Sequence, residues 1–192
     1  MKHDASMNHL RITSPLGPIL LGASARGLAG IWFDGQQHGP NTVGWKLAPE
    51  HPTLIAAARQ LQEYFLGQRN EFDLPLDMSA GSQFQQSVWR ALRDIARGTT
   101  TSYGALAEHL GKPAASRAVG AAVGRNPLGI VVPCHRVIGK DGSLTGYAGG
   151  LDKKVALLQI EGVLLPTESP QTIWGGARRR PIAARAAGGV RI

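Results

Sequence analysis

Cysteine is nearly absent from this chain of 192 residues, which contains one, Cys134. A single thiol cannot form an internal disulfide, and it cannot build a zinc site that needs several thiolates. The six histidines form no paired-histidine metal motif. We therefore expect a protein without a metal or other cofactor, whose thiol stays reduced.

Long apolar segments are missing as well. No hydrophobic run approaches the roughly 18 residues that cross a bilayer, and residues 1–11 contain no apolar stretch of signal-peptide length. Hydrophobic residues make up 43% of the chain and charged residues 18%, a balance typical of a folded globular protein. These features predict a cytoplasmic protein with no membrane partner.

Acidic residues are few. Thirteen Asp and Glu stand against 21 Lys and Arg, which gives a net charge of +8. This excess favours a polyanionic partner, although many basic proteins bind nothing charged. A nucleotide phosphate loop is excluded, because neither Gly111-Lys112 nor Gly139-Lys140 has the required upstream glycine and following Ser or Thr.

The composition and hydrophobic pattern of the sequence divide the chain into three segments. We predict an N-terminal α/β domain over residues 1–80, a mostly helical domain over residues 81–166 and a disordered basic tail over residues 167–192. The tail holds five arginines against one glutamate, a net +4. Solubility and weak attraction to phosphates both remain open as its role.

The N-terminal segment carries the signals of a hairpin. Residues 19–23 and 28–33 are predicted to be strands that a turn at Ala25-Arg26-Gly27 joins. The other predictions here are a loop at 38–52, a helix with an apolar stripe at Leu54, Ala58, Leu61 and Phe65 that ends at Gly67, and an edge strand at 72–78.

The second segment reads as helical. Two short helices at about 102–110 and 114–124, separated by Lys112-Pro113, have the form of a helix-turn-helix, and a plain αα-hairpin gives the same signal. The other predictions are a helix with its stripe at Phe84, Val88, Leu92 and Ile95 that stops at Gly98, a strand at 130–132, a tight turn at Lys140-Asp141-Gly142, and a last helix through Leu151, Val155 and Leu158 that ends at Gly162.

Cys134 can be interpreted in two ways. A lone cysteine in an apolar stretch is often a small core residue. Pro133, however, ends the predicted strand and places Cys134 in a turn, and His135 and Arg136 would lower the thiol pKa and raise its reactivity. Neighbouring side chains of an extended segment point to opposite faces, so contact between Cys134 and His135 needs a turn or a bridging water.

Arg117 stands among small residues on its predicted helix, over residues 114–124. Interior glycines cost a helix about 1 kcal/mol each relative to alanine. Tight packing against another helix explains such a composition. A second explanation is that the thin face of the helix enters a narrow space and carries one long cationic side chain into it. The DNA minor groove, about 6 Å wide, is such a space.

The segment Pro133-Cys134-His135-Arg136-Val137 resembles the active-site signature of the O6-alkylguanine-DNA alkyltransferases. These direct-reversal repair proteins move an alkyl group from guanine O6 to a cysteine. Further motifs that resemble the family occur in family order between about residues 84 and 164, namely Ser102-Tyr103, Arg117-Ala118-Val119-Gly120, Asn126-Pro127, Gly146-Tyr147 followed by Gly149-Gly150, and Glu161-Gly162.

The resemblance implies an α+β fold, with an N-terminal ribonuclease-H-like α/β domain followed by a mostly helical domain with a helix-turn-helix of winged-helix-like form. It implies a methylated-DNA–protein-cysteine S-methyltransferase that flips O6-alkylguanine out of double-stranded DNA and transfers the alkyl group irreversibly to Cys134, once per molecule. It also implies a monomer. Activity on O4-alkylthymine and the preferred alkyl size stay open, since Ala148 stands where some members have serine. Cooperativity on DNA stays open as well.

Roles for individual residues follow from the same resemblance. Cys134 would accept the alkyl group, His135 would act as base through a water, Glu161 would orient His135, Tyr103 would assist the leaving guanine, and Asn126 would brace the link to Cys134. The implied DNA-binding residues are Arg117, which would fill the vacated base stack, together with Tyr103, Ala118, Gly120, Gln85, Lys112 and Lys140. The implied base-pocket residues are Val137, Tyr147, Ala148 and Gly149.

Three rival functions fit the sequence less well. A lesion-binding module without chemistry, like the alkyltransferase-like proteins, would have another residue in place of Cys134. A cysteine hydrolase offers no reason for the small-residue helix around Arg117. A repair sensor that activates transcription would carry an extra metal-binding domain with several cysteines.

Overall fold

The computed structural model describes residues 7–163 of the chain. The basic tail predicted for residues 167–192 lies outside these described residues.

The N-terminal segment forms a four-stranded sheet. Its strands are β1 (Asn8–Ile12), β2 (Ile19–Ser24), β3 (Gly27–Phe33) and β4 (Lys46–Leu47), in the order β3-β2-β1-β4. The β1–β2 and β2–β3 pairs are antiparallel, and β4 pairs with β1 in parallel. The predicted hairpin is confirmed, and Gly27 is required at its end because a Cβ there would lie 2.3 Å from the carbonyl oxygen of Pro75.

Alternation along the strands places side chains on both faces of the sheet. Ile19 and Leu21 point into the main core, whereas Leu20 joins a smaller cluster on the opposite face with Trp32 and Trp45. Both faces of β2 and β3 are therefore covered by apolar side chains, whereas β1 is mostly half-buried and β4 is exposed.

Three sequence predictions for this segment need correction. Strand β1 was not predicted, and the predicted loop at 38–52 contains β4. Residues 72–78 form no strand: Leu76 makes an isolated bridge with Leu28, whose amide donates to Pro75 and whose carbonyl accepts from Asp77. Pro75 cannot donate to a ladder, which limits the pairing to this one bridge.

Two helices link the sheet to the second segment. Helix α1 (Pro52–Phe65) begins with a proline in its first turn and is followed by Gly67, whose φ is +72°. Helix α2 (Gln83–Leu92) begins in a capping box between Ser82 and Gln85. It ends at Leu92, before Ile95, so the helix predicted to run on to Gly98 is shorter than expected.

The predicted helix-turn-helix consists of α3 (Tyr103–His109) and α4 (Ser116–Gly124). Ser102 caps α3 by accepting a hydrogen bond from the amide of Ala105. The second helix was expected to begin at 114, but Pro113–Ala115 forms a separate 3-10 turn before α4. Pro113 is the first residue of this turn, where its missing amide hydrogen costs no hydrogen bond.

The predicted strand at 130–132 is absent from the described structure. Ile130 has a φ of +70°, and the amide of Val132 donates to the carbonyl of Leu128, which closes a turn. A left-handed residue cannot continue a strand. Leu128 instead bridges to Ile31 of the sheet and ties this turn to the N-terminal segment.

The chain then returns through the centre of the molecule. Cys134–Arg136 form a 3-10 turn, and β6 (Val137–Ile138) pairs in parallel with β5 (Thr101–Ser102). After the predicted turn at Lys140-Asp141-Gly142, helix α5 (Leu151–Ile160) ends shortly before Gly162. One continuous cluster of buried apolar side chains, including Phe33, Leu61, Trp89 and Leu157, joins the sheet to the helices.

No helix among residues 7–163 is long and apolar enough to cross a membrane.

Candidate active site

Cys134 is buried, with 7% of its surface exposed, at the start of the 3-10 turn that follows Pro133. Burial raises the pKa of its thiol, and a hydrogen bond from Asn126 and the charge of Lys154 only partly oppose this. The thiol pKa is therefore raised overall, opposite to the expectation from the sequence, although a backbone hydrogen bond of His135 acts to lower it. A thiol in this state is mostly protonated at neutral pH, so its chemistry requires a base.

His135 is the adjacent base, and its side chain is fully buried. Its Nε2 lies 2.9 Å from Oε1 of Glu161. An ionised carboxylate only accepts hydrogen bonds, so Nε2 carries the proton and Nδ1 carries the lone pair. Nδ1 has no hydrogen-bond partner within residues 7–163. Burial lowers the pKa of His135 despite the opposing effect of Glu161, which keeps the ring neutral and able to accept a proton.

Glu161 follows α5 and is the centre of a buried charge network. Arg136 donates to it twice, with Nε to Oε2 and Nη2 to Oε1 each at 2.8 Å. Burial alone would raise the pKa of Glu161, but the hydrogen bonds and charges of His135 and Arg136 outweigh it and hold the pKa well below its usual range. Arg136 therefore stabilises this carboxylate. Its position next to Cys134 in the sequence had indicated that it would activate the sulfur instead.

Asn126 fixes the turn that leads into Cys134. Its Nδ2 donates to the carbonyl of Val132 at 2.8 Å, and its Oδ1 accepts from the amide of Leu128 at 3.0 Å. These bonds hold the unusual backbone around Ile130 between α4 and the cysteine. The structure thus places Asn126 between the helix-turn-helix and Cys134.

Lys154 of α5 is fully buried beside the site. Its Nζ donates to the carbonyls of Val137 at 2.7 Å and Thr145 at 2.8 Å. Burial lowers the pKa of Lys154 to about 8, against the opposing influence of Cys134. The lysine joins strand β6, directly after the cysteine turn, to the loop that carries Tyr147.

A cavity of about 490 Å³ opens between α3, α4 and this loop. Tyr147 lies in its wall, and burial, followed by the influence of Cys134, raises the pKa of this tyrosine. The hydroxyl of Thr145 donates to that of Tyr103 at 3.1 Å and connects two walls. The lining consists of Gln37, His38, Tyr103, Ser116, Arg117, Gly120, Val123, Gly124, Thr145, Gly146, Tyr147 and Ala148.

Two of the four predicted pocket residues lie outside this lining. Val137 is fully buried, because it pairs with Thr101 in the small parallel sheet. Gly149 packs against Phe33, where a Cβ would lie 2.9 Å from the ring. Tyr147 and Ala148 line the cavity as expected.

The predicted DNA-binding residues lie in different settings. Arg117 and Ala118 are exposed on α4, while Val119, Ala122 and Val123 form its buried face, so the small residues serve packing and also leave a thin exposed face. Gly120 lies in contact with the ring of Tyr103. Lys112 and Lys140 are exposed in turns, and Gln85 is engaged in the capping box of α2.

Sequence reasoning missed several residues at this site, and four of them make contacts or carry charges that matter to it. Tyr64 donates to Glu161, Lys154 joins two walls, and Gln37 and His38 of the N-terminal segment line the cavity. Tyr64 and Lys154 carried a signal, because each is a polar residue on an otherwise apolar helix stripe and must find a partner when buried. Gln37 and His38 carried none, since they lie in a polar loop.

Comparison with known proteins agrees with this arrangement. A model of the ribonuclease-like domain of 6-O-methylguanine DNA methyltransferase matches residues 10–78, and a model of the DNA binding domain of the same protein matches residues 83–163. The methylated-DNA–protein-cysteine methyltransferase of Mycobacterium leprae is 47% identical over 156 residues, which are 81% of this chain and 93% of the relative. That of Mycolicibacterium paratuberculosis is 49% identical over 151 residues, 78% of this chain and 89% of the relative.

A solved structure shares the fold. The crystal structure of Mycobacterium tuberculosis OGT in complex with DNA superposes with a TM-score of 0.75 at 44% identity, over 80% of this chain and 92% of that one. The two domain models together span most of the chain, and identity approaches one half over most of its length. The chain therefore belongs to the 6-O-methylguanine DNA methyltransferase family.

Proposed function

We propose that this protein repairs double-stranded DNA by direct reversal, as a methylated-DNA–protein-cysteine methyltransferase that moves the alkyl group of O6-alkylguanine to Cys134. The observation that carries the proposal is the buried Cys134 directly before His135, whose Nε2 is paired with Glu161, in a segment that also holds a cavity lined by Tyr103 and Arg117. Family membership and the DNA-bound relative support it.

The reaction uses the groups of the site in sequence. The thiol proton of Cys134 passes through a water to Nδ1 of His135, whose positive charge Glu161 stabilises. The sulfur attacks the alkyl carbon, a C–S bond forms and the bond from carbon to O6 breaks. Guanine leaves with the electron pair, and a hydrogen bond from the hydroxyl of Tyr103 stabilises the charge on the departing base. The product thioether has no ready leaving path, so each molecule acts once.

Access to O6 requires extrusion of the nucleotide, because this atom lies within the base stack. Arg117 is exposed on the thin face of α4 and also lines the cavity, so it can fill the space that the base leaves. Asn126 braces the turn between this helix and Cys134. Lys112 and Lys140 supply phosphate contacts, with Ala118 and Gly120 allowing close approach of the backbone.

We expect Arg117→Ala to slow transfer from O6-methylguanine in duplex DNA by about 10- to 100-fold, because unstacking costs a few kcal/mol. Transfer from the free base O6-benzylguanine, which needs no extrusion, should change by less than about twofold. The measurement is the single-turnover rate of each variant on both substrates. Arg125→Ala removes the same charge just after the same helix and serves as the matched control.

An equal loss on both substrates for Arg117→Ala, with an unchanged melting temperature, would assign the arginine to packing instead. If Arg125→Ala slows transfer from duplex DNA to the same degree, the effect comes from the loss of one positive charge and not from the position of Arg117.

The remaining parts of the proposal concern range and context. The protein acts as a monomer on DNA, in the cytoplasm, with residues 1–80 and 81–166 as its two functional domains. O4-alkylthymine and bulky O6-alkyl groups are candidate substrates for the cavity of about 490 Å³. Competition between oligonucleotides that carry each lesion ranks these substrates. Transfer of a labelled methyl group from an O6-methylguanine duplex to the protein tests the proposal as a whole.

A further inference from the structure

Tyr64 links the N-terminal segment to the charge network of the site. It lies on α1, its side chain is fully buried, and its hydroxyl donates to Oε1 of Glu161 at 2.9 Å. That oxygen also accepts from His135 at 2.9 Å and from Arg136 at 2.8 Å. Three donors therefore converge on the one oxygen that orients the base.

We propose that Tyr64 is a positioning residue for alkyl transfer, which sets the direction and the proton affinity of Glu161 and, through it, of His135. The inference rests on the proposed function, since it concerns the same reaction. It adds a residue of the N-terminal segment to the network around Cys134, His135 and Glu161, whose other members lie in the second segment.

The ring of Tyr64 is held in place on several sides. Phe65 and Phe72 contact it with ring centroids 5.5 and 5.6 Å away. The guanidinium of Arg97 lies 5.4 Å from the ring centroid, and its Nη2 donates at 2.7 Å to the carbonyl of Ile160, the residue before Glu161. The same arginine therefore fixes both the tyrosine and the backbone of its acceptor, which leaves the hydroxyl little freedom to turn away.

The hydroxyl remains a donor throughout the working pH range. Burial, and then the charge and hydrogen bond of Glu161, raise the pKa of Tyr64 far above its ordinary value. A donor to a carboxylate disperses its negative charge and weakens its hold on a proton at His135. Within residues 7–163, Arg136 and Lys154 also face this network and lower the pKa of His135. Arg97 lowers the pKa of Tyr64, and Tyr147 interacts with both Tyr64 and Glu161.

The sign of the pH effect follows from this arrangement. Without the Tyr64 hydroxyl, Glu161 attracts the proton on His135 more strongly, so the pKa of His135 rises. At a given acidic pH, less of the ring is then neutral and able to accept the thiol proton. The acid limb of the rate profile therefore moves to higher pH.

The test is the single-turnover rate of benzyl transfer from the free base O6-benzylguanine to the full-length protein, from about pH 5 to pH 9. We expect Tyr64→Phe to raise the midpoint of the acid limb by about 0.5 pH unit and to lower the plateau rate about 5- to 30-fold. Phenylalanine fills the same volume, and Glu161 keeps its three other hydrogen bonds. Titration of the His135 ring by NMR in unreacted protein gives a second readout, with a midpoint that rises in the variant.

Two controls separate positioning from packing. Phe72→Leu disturbs the packing of the Tyr64 ring and leaves its hydroxyl, so the acid limb should stay where it is in the wild type. In a Glu161→Gln background, Tyr64→Phe should change the rate by less than about twofold, because the residue acts through the carboxylate.

The inference is overturned if Tyr64→Phe keeps the wild-type dependence of rate on pH. It is also overturned if Tyr64→Phe lowers the rate as much in the Glu161→Gln background as in the wild type. In both cases the wild type still transfers benzyl to Cys134. A wild type that transfers nothing would overturn the proposed function itself.

Discussion

Cys134→Ser is expected to bind a duplex that contains O6-methylguanine and to acquire no methyl group. A serine hydroxyl has a far higher pKa than a thiol and is a much weaker nucleophile, and His135 cannot generate its alkoxide in useful amounts. We expect a fall in the transfer rate of at least about a thousandfold. Gel-shift titration measures binding, and intact mass after prolonged incubation measures transfer.

Retained binding distinguishes loss of chemistry from loss of structure, since Cys134 lies in the core between the sheet and the helices. A methyl group found on the serine variant at a rate near that of the wild type would remove Cys134 from the mechanism.

Glu161→Gln is expected to slow transfer by about 100-fold or more, and to the same extent from duplex DNA and from free O6-benzylguanine. The change removes the charge that stabilises protonated His135 and leaves Arg136 buried without its ionic partner. The free energy of unfolding should fall by about 3 to 5 kcal/mol, because a buried charge without a partner destabilises the folded state by this amount. Single-turnover rates and urea unfolding measure the two effects.

The pH dependence of stability provides a further check on Glu161. Its pKa is depressed in the folded protein, so its contribution to stability is present at neutral pH and is lost as the pH falls through and below the ordinary glutamate value of about 4.3. Glu161→Gln should lose part of this acid dependence. Glu63→Gln is the matched control, because it changes the ion pair between Glu63 of α1 and Arg69, which follows the helix. This variant should keep the wild-type transfer rate. A wild-type rate in Glu161→Gln would contradict the role of the carboxylate.

Local signals account for the parts of the fold that sequence predicts well. Two short apolar runs joined by a turn at Ala25-Arg26 define the β2–β3 hairpin, and helical segments that end near Gly67, Gly111 and Gly162 define three of the helices. In these elements propensity, periodicity and end signals agree with the tertiary structure.

Nonlocal contacts account for the parts that sequence did not predict. Strand β1 depends on pairing with β2 and β4 rather than on its own half-polar sequence. Residues 130–132 have the composition of a strand, but the hydrogen bonds of Asn126 and the left-handed Ile130 form a turn instead. Contacts made after folding override β propensity here.

The candidate site divides in the same way. The motif around Cys134 and the Glu161-Gly162 pair could be found in the sequence through resemblance, and the structure brings His135 and Glu161 to 2.9 Å. Tyr64 could not be assigned to this site, because 97 positions separate it from Glu161. The raised pKa of Cys134 was also missed, because it depends on burial by surrounding elements and not on the sequence neighbours His135 and Arg136.

The most direct test of the account is the intact mass of the full-length protein after mixing with an excess of duplex that contains O6-methylguanine, followed by peptide mapping. The account predicts a gain of one methyl group, located on Cys134, and a ratio of repaired lesions to protein that never exceeds one. Continued repair beyond that ratio with Cys134 unmodified would contradict transfer to this cysteine.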